Sequence, residues 1–196
     1  MPDTQASIHR LILHPGDAEG APASQEAVCE RLRELEFIGE AHEHGNETGE
    51  RAFLAGEQFL QLLTFMGCSP HIELAPRQEG DQDFCHIRVS SLYPSPRFRA
   101  HARDVFARCP ACGRREPDWP ARIAAWQAGA RPDWQCSRCG EATSLYRLGW
   151  RQKAGFGRLF IDVFSIFPQE GIPAERLLRE LESLGAGPWR YFFSNR

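Results

Sequence analysis

The chain has 196 residues, 42% of them hydrophobic, and a formal net charge of −3. This length fits one domain, or one domain with a small insertion, and the hydrophobic content predicts a true core. No stretch approaches the roughly 18 apolar residues of a membrane span, and residues 1–10 are polar, unlike a secretion signal. We therefore expect a cytoplasmic protein with no membrane partner.

Charge is distributed unevenly along the chain. Residues 1–87 contain 5 Arg and Lys against 16 Asp and Glu, whereas residues 88–196 contain 18 against 10. Within residues 88–158 the count is 14 against 5, a net charge of +9. Such asymmetry favours an anionic partner for the basic stretch, or docking of one part of the chain on the other.

The hydrophobic pattern predicts a succession of short strands and helices. Ser24 can cap the first helix, in which Val28, Leu32 and Leu35 form an apolar stripe. Residues Arg51–Gly67 are apolar nearly all round and predict a helix that is covered on most sides. In chain order the predicted elements are a strand at Ser7–His14, a helix from Ser24 to about Phe37, a helix at Arg51–Gly67, strands at His71–Leu74, Phe84–Leu92 and Phe98–Val105, a short helix from Trp119, strands at Thr143–Trp150 and Gly157–Phe167, a helix at Pro173–Leu184 and a strand at Trp189–Phe193.

This order of elements predicts an α+β fold, in which a mostly antiparallel sheet carries helices on one or both faces. In the strand Phe84–Leu92, the period of two puts Cys85, Ile87 and Val89 on one face. The same period puts Ile72 and Leu74 on one face of the strand His71–Leu74, so His71 and Glu73 of that strand and His86 and Arg88 of the next would share the opposite, polar face.

Four cysteines lie in two matched pairs, Cys109-Pro-Ala-Cys112-Gly113 and Cys136-Ser-Arg-Cys139-Gly140. A C-x-x-C turn brings two thiolates to one side of a point, and a tetrahedral ion needs four soft ligands at about 2.3 Å. The glycine after each second cysteine lets the backbone turn back sharply. The pattern resembles the zinc-ribbon group, with a rubredoxin-like pair of knuckles, and the resemblance covers residues 108–144, about a fifth of the chain.

The predicted metal ligands are therefore Cys109, Cys112, Cys136 and Cys139. Cytoplasmic thiols stay reduced, so paired cysteines favour a metal over two disulfides. Zinc is the expected ion, and iron is the alternative because four thiolates suit both. Four protein ligands leave no open position, so we expect the metal to be structural.

The segment with the four cysteines has predicted strands on both sides of it. We therefore expect the zinc ribbon, residues 108–144, to be a subdomain inserted into a discontinuous α+β domain that is formed by residues 1–107 and 145–196.

The ribbon lies within the basic stretch, where aromatic residues are interleaved with cationic ones. Arginines can bind phosphates and aromatic rings can stack on bases, so this stretch is a candidate nucleic-acid surface. Alternatively, the aromatic residues form the ribbon's own core and the arginines pair with the acidic N-terminal part. The candidate nucleic-acid-binding residues are Arg114, Arg115, Arg122, Arg131, Arg138, Arg147, Arg151 and Lys153. The interleaved aromatic residues are Trp119, Trp126, Trp134, Tyr146, Trp150 and Phe156.

Other histidines, cysteines and carboxylates give weaker candidates. Two groups could form a second metal site: His42 with His44, and the set Cys68, His71, Cys85 and His86. A cleft near His71, His86 and Glu57 could instead supply the base and carboxylate of an enzyme.

These features lead to three main hypotheses of function. The first is a zinc-binding module that associates with RNA, DNA or the ribosome, in which the metal is structural; the link between zinc ribbons and such partners is an analogy at the level of fold. The second is a protein–protein adaptor. The third is an enzyme with a cleft near His71, His86 and Glu57, which the sequence favours less and whose catalytic roles it does not assign. Electron transfer by a rubredoxin-like iron site is a further alternative.

Overall fold

The computed structural model describes residues 9–42, 49–65, 72–78, 81, 83–101, 103–167 and 170–195. These residues form an α+β fold with three α-helices and fourteen strands, most of them antiparallel. The helices are α1 (Gln25–Glu34), α2 (Trp119–Gln127) and α3 (Glu175–Glu182). The strands are β1 (His9–Pro15), β2 (Ile38–His42), β3 (Arg51–Ala55), β4 (Leu63–Phe65), β5 (His86–Val89), β6 (Arg97–Ala100), β7 (Ala107–Arg108), β8 (Arg115–Glu116), β9 (Asp133–Gln135), β10 (Ala142–Ser144), β11 (Ala154–Gly157), β12 (Ile161–Phe164), β13 (Gly171–Pro173) and β14 (Trp189–Asn195). None of the helices within these ranges is long and apolar enough to cross a bilayer.

The main sheet has six antiparallel strands in the order β14–β1–β12–β5–β3–β2. Its central strand β12 joins β1, from the start of the chain, to β5, which precedes the ribbon. Its register sets Asp162 beside both Ile12 and Arg88. The four other pairs of strands, β6–β11, β4–β13, β7–β8 and β9–β10, form small separate ladders.

The two faces of this sheet have different coverings. Alternate residues of its strands point into the main core, where they pack with α1 and α3. That core includes Leu11, Leu13, Val28, Leu32, Ile87, Ile161, Val163, Leu177 and Leu181. The other face carries a small apolar cluster of Ile12, Phe160 and Phe192, and beside it several charged side chains.

Helix α1 confirms the prediction made from its capping residue. The Ser24 hydroxyl accepts a hydrogen bond from the Ala27 backbone N–H at 3.0 Å, which satisfies one of the free donors of the first turn. The helix ends at Glu34, earlier than expected, because Glu36 adopts a φ of 54° and turns the chain back. The Phe37 N–H then donates to Leu32 O at 2.9 Å and closes the end of the helix.

The helix predicted at Arg51–Gly67 is wrong, because the described part of this segment forms β3, a 3-10 turn at Phe59–Gln61 and β4. A continuous apolar run does not distinguish a buried helix from a strand with neighbours on both edges, and β3 pairs with β2 and β5. The bend between the two strands begins at Gly56, where a Cβ atom would lie only 2.1 Å from Glu36 O.

Several boundaries also differ from the prediction. Residues 72–74 form no strand, although the Cys85 N–H donates to Glu73 O at 2.7 Å. The strand predicted at Thr143–Trp150 ends at Ser144 and continues as a 3-10 turn. Pro173 does not begin α3: it is the last residue of β13, and Ala174 caps the helix.

A second hydrophobic cluster lies away from the main core. Most of its buried residues come from the segment with the four cysteines and from the chain that follows it, Ala18 and Ala107 come from before that segment, and Phe98 of β6 packs against them. They are Ala18, Ala107, Cys109, Ile123, Trp134, Cys136, Leu145, Leu148, Trp150, Ala154 and Phe156. The ribbon therefore shares its core with β6 and β11, which lie outside residues 108–144.

Candidate metal centre and basic surface

The first cysteine pair forms a tight turn at the end of the small ladder β7–β8. The Cys109 N–H donates to Arg114 O at 2.9 Å, and the Gly113 N–H donates back to Cys109 O at 3.0 Å. The Arg108 side chain also donates to Gly113 O at 2.8 Å. These bonds hold Cys109 and Cys112 on one side of the turn.

The second pair repeats this geometry at the end of the ladder β9–β10. The Cys136 N–H donates to Glu141 O at 2.8 Å, and the Gly140 N–H donates to Cys136 O at 3.0 Å. Here the residue before the first cysteine is Gln135, whose amide donates to Gly140 O at 3.2 Å. The two knuckles therefore have the same hydrogen bonds, and in each of them the side chain before the first cysteine donates to the carbonyl group of the glycine.

The glycine in each knuckle is required by backbone conformation and not by lack of space. Gly113 has a φ of 68° and Gly140 a φ of 73°, in the left-handed region that favours glycine. A Cβ atom at either position would meet no atom within 4 Å. The sequence prediction of two sharp turns is thereby confirmed.

The four cysteines form one compact cluster of free thiols. Their sulfur atoms all lie within 4.8 Å of one another. The Sγ atoms of Cys109 and Cys139 are 3.8 Å apart, and those of Cys112 and Cys136 are 3.7 Å apart. In a tetrahedral site with metal–sulfur bonds of about 2.3 Å, neighbouring sulfurs are about 3.8 Å apart. The donor set and its spacing therefore fit a zinc ion, as the zinc-ribbon resemblance predicts.

The thiols influence one another's ionisation. The backbone N–H groups of Cys139 and Arg138 donate to the Cys136 sulfur and lower the pKa of that thiol to about 7. The Glu141 N–H lowers the pKa of Cys139, but desolvation and the three neighbouring thiols outweigh it and raise that pKa to about 12. Four thiolates this close repel one another. A divalent cation bound among them offsets this repulsion, because it attracts all four.

Burial differs between the two cysteines of each knuckle. Cys109 and Cys136 are buried and belong to the second hydrophobic cluster, whereas Cys112 and Cys139 lie at the surface. An ion among these sulfurs would link one edge of the second cluster to both knuckles. The arrangement suits a metal that holds a small domain together.

The candidate nucleic-acid-binding side chains lie at the surface. The seven arginines are exposed and Lys153 is half-buried, and none of the eight forms an ion pair with a carboxylate in the described ranges. Desolvation lowers the pKa of Arg108, and the positive charges of Arg151 and Arg115 lower it further. Cations from the ribbon and from the chain that follows it therefore lie close together.

The interleaved aromatic residues pack against one another. Trp150 lies edge-on to Trp119, with ring centroids 5.4 Å apart, and Trp126 contacts both Tyr146 and Phe156. Trp134, Trp150 and Phe156 are buried. The alternative that these rings form a core is therefore correct for this cluster, and the buried rings are not available to stack on bases.

The remaining candidates do not assemble into a second site among the described residues, where the four-cysteine cluster is the sole group placed for a metal. His86 is predicted on a polar strand face, but in the fold it is buried and stacks on Phe164 at 4.1 Å. The rings of Phe84 and Phe164 bury this side chain, although its face of the strand is polar in sequence. Cys85 is also buried, and desolvation raises the pKa of its thiol to about 12.

Of the five other candidate positions, two lie within the described residues and three do not. His44, Cys68 and His71 lie outside the described residues. Glu57 is exposed in the turn after β3, so it is not the buried carboxylate that an all-apolar helix would have enclosed. His42 ends β2, and its ring lies 5.2 Å from that of Phe84.

Sequence reasoning missed a group of charged residues on the sheet face away from the helices. Arg10, Arg88 and Arg99 lie there with Glu50 and Asp162 around one cavity. The available signal was Asp162, a single carboxylate in the otherwise apolar strand β12.

Comparison of this chain with models of protein families, with curated proteins and with solved structures gave no match.

Proposed function

We propose that the chain is a zinc-binding protein in which Cys109, Cys112, Cys136 and Cys139 hold one structural metal ion. The observation that carries this proposal is the cluster of four free thiols with spacings of 3.7 and 3.8 Å, close to the edge of a zinc–thiolate tetrahedron. Four protein ligands leave no position for a substrate, so the ion stabilises the two knuckles and takes no part in a reaction. Iron remains the alternative for the same donor set.

We further propose that the ribbon presents a surface for nucleic acid, free or within the ribosome. Two observations support it: residues 88–158 carry a net charge of +9, and the eight candidate cations lie outside every ion pair formed by the described residues. Because the aromatic rings are packed together, binding would depend on phosphate contacts and so be largely independent of sequence.

The test is the affinity of the zinc-loaded protein for a labelled RNA strand and for a DNA duplex, measured over a series of salt concentrations. We expect the double variant Arg114→Gln/Arg115→Gln to bind more weakly. The slope of log affinity against log salt should become shallower by up to about 2, since each lost phosphate contact removes nearly one unit. The matched control is Arg176→Gln/Arg179→Gln, which removes two exposed arginines from α3.

Two results would remove the nucleic-acid proposal: no binding at low salt, or affinity that does not change with salt. The adaptor hypothesis would then take its place, since the same exposed cations would suit an acidic protein. The proposal of a structural zinc ion would stand in either case.

A further inference from the structure

Two adjoining cavities lie beside the first and last strands of the main sheet. The smaller has a volume of about 260 Å³ and the larger a volume of about 620 Å³. Residues from the loop after β1, from β14 and from the 3-10 turn at Leu145–Arg147 line both of them. The two cavities therefore form one groove, which we call the Arg190 groove. The lining residues that they share are Gly16, Ala18, Tyr146, Arg147 and Arg190.

The smaller cavity is cationic. Among the described residues, its lining contains three arginines and no carboxylate. Arg147, Arg151 and Arg190 are all exposed, and none of them forms an ion pair within the part of the chain that the structure describes. His14 also lines this cavity and adds no charge at pH 7, because desolvation lowers its pKa to about 4 and the nearby charge of Arg190 lowers it further. An anion that enters here would meet positive charge from both walls.

A tight turn holds one of these arginines against the strand that carries another. Arg151 and Gln152 have φ angles of 48° and 57°, and the Lys153 N–H closes their turn on Trp150 O at 3.1 Å. The Phe193 N–H of β14 then donates to Gln152 O at 3.0 Å. Left-handed conformations are uncommon outside glycine and persist where the surrounding structure holds them, often at functional sites. The two walls of the smaller cavity are therefore joined, and the positions of their arginines are set relative to each other.

The larger cavity has a mixed lining. The carboxylates of Asp17 and Glu141 line it together with the two shared arginines and Thr143. Positive and negative side chains balance there, so the cationic part of the groove is the smaller cavity. A ligand with anionic groups next to neutral groups that form hydrogen bonds matches both parts.

The size of the groove separates two kinds of anionic ligand. A site for a small molecule usually has a volume of about 300–1,000 Å³ and encloses most of its ligand. The cationic cavity is smaller than that, its three arginines are exposed, and it continues into the larger cavity. Proteins that bind single strands of nucleic acid instead use a positively charged groove that follows the phosphate backbone. The charge and form of the Arg190 groove match this second class.

We propose that the Arg190 groove binds a single strand of nucleic acid, with its phosphate groups on Arg147, Arg151 and Arg190 and its nucleosides in the larger cavity. Guanidinium groups donate paired hydrogen bonds to phosphate oxygens. The carboxylate and hydroxyl groups of the larger cavity suit the amino groups of bases and the hydroxyl groups of sugars. This inference rests on the proposed function, narrows it to single strands, and adds Arg190, a residue of the main sheet outside the basic stretch.

The test uses the full zinc-loaded chain and a labelled uridine oligoribonucleotide of about ten residues, within the usual site size of single-strand-binding proteins. Fluorescence anisotropy at low salt compares this strand with the same strand paired to its complement. Binding by charge alone would favour the duplex, because its charge density is higher. We expect the single strand to bind more tightly than the duplex by about tenfold or more.

The double variant Arg147→Gln/Arg190→Gln removes one cation from each wall of the groove. We expect its affinity for the single strand to fall by about tenfold or more. The slope of log affinity against log salt should become shallower by about 1.4, since each phosphate contact of a single strand contributes about 0.7. The matched control Arg176→Gln/Arg179→Gln removes two exposed arginines from α3 and should leave both quantities unchanged.

The single variant Arg190→Gln keeps the test decisive if the double variant does not fold. Arg190 is exposed, so its replacement should leave the sheet intact, and it should account for about half of the change in slope.

Four outcomes would refute the groove. Three of them leave the proposed function in place: a duplex that binds as tightly as the single strand, groove variants that bind like the unaltered chain, or a control on α3 that loses as much affinity as the groove variants. The fourth is that the unaltered chain binds no nucleic acid at low salt, and then the groove and the nucleic-acid function fail together.

Discussion

At the scale of single residues, burial decides how His14 behaves. Its Nδ1 atom lies 2.8 Å from Pro15 O and 2.9 Å from Phe156 O, and its Nε2 atom lies close against Gly155. Desolvation lowers the pKa of His14 to about 4, against the pull of these two carbonyl groups. The ring is therefore neutral at pH 7, and it packs from β1 against β11.

This leads to a prediction about stability and pH. The unfolded chain protonates His14 below about pH 6.5, whereas the folded chain does so only near pH 4. Its contribution is therefore fully present above pH 6.5, and the free energy of unfolding should fall as the pH drops from 6.5 to 4. Denaturant unfolding of the protein and of His14→Gln across this window measures it.

The comparison with His14→Gln separates this effect from thiol protonation and metal release, which act on both proteins alike. The difference in unfolding free energy between the two should change by an amount on the order of 3 kcal/mol across the window. A difference that stays constant with pH would show that His14 does not cause the dependence.

Residue patterns predicted the metal cluster but not the environment of His86. The two C-x-x-C-G motifs carry their own geometry, because each knuckle is closed by local hydrogen bonds and a left-handed glycine. The period of two in β5 gives the face on which His86 lies, but the burial of this ring depends on Phe164, from a strand far along the chain. The cavity around Arg88 was missed for the same reason.

At the scale of elements, the main error concerned an apolar segment whose length suited a helix. Strand β3 is apolar because it lies inside the sheet, and the chain leaves it at Gly56. The capping signal of Ser24 was more informative than hydrophobicity, since α1 begins where Ser24 predicts, whereas the end of α1 and the start of α3 both differ from the prediction. Local hydrogen bonds determine the ends of α1, whereas partners distant in sequence determine whether an apolar run becomes a strand.

The close approach at Gly56 gives a prediction for this segment. In Gly56→Ala the added Cβ would lie 2.1 Å from Glu36 O, so the backbone must shift. We expect the free energy of unfolding to fall by about 1–3 kcal/mol, as for other overpacked sites. The control is Gly149→Ala, where the nearest atom would be 3.6 Å away and a smaller change is expected. Equal stability of Gly56→Ala and the unaltered protein would contradict this account of the bend.

At the scale of the whole molecule, the chain combines a sheet assembled from distant segments with a segment closed by local turns. Strands β1, β12 and β14 come from the start, the later part and the end of the sequence. The two knuckles instead depend on neighbouring residues and on the four thiols. We propose that residues 108–144 form the inserted unit, supported by a core that also includes Trp150 and Phe156.

Removal of the metal should therefore affect one part of the molecule more than the other. After chelation, we expect faster amide hydrogen exchange in residues 107–150, because the thiolates then repel and the knuckles lose their common ligand. Strands β1, β12 and β14 should stay protected by the main core. Zinc added back should restore the original pattern. Uniform loss of protection over the whole chain would contradict the proposed independence of the inserted unit.

The most direct test of the central claim is the metal content of the purified protein, measured together with its free thiols. We predict one zinc ion per chain, lost on Cys109→Ser and retained on Ser137→Ala, which alters the second knuckle without removing a ligand. One iron ion in a coloured protein would keep the site but change the ion. A chain without metal, or one whose metal survives Cys109→Ser, would contradict a four-thiolate centre.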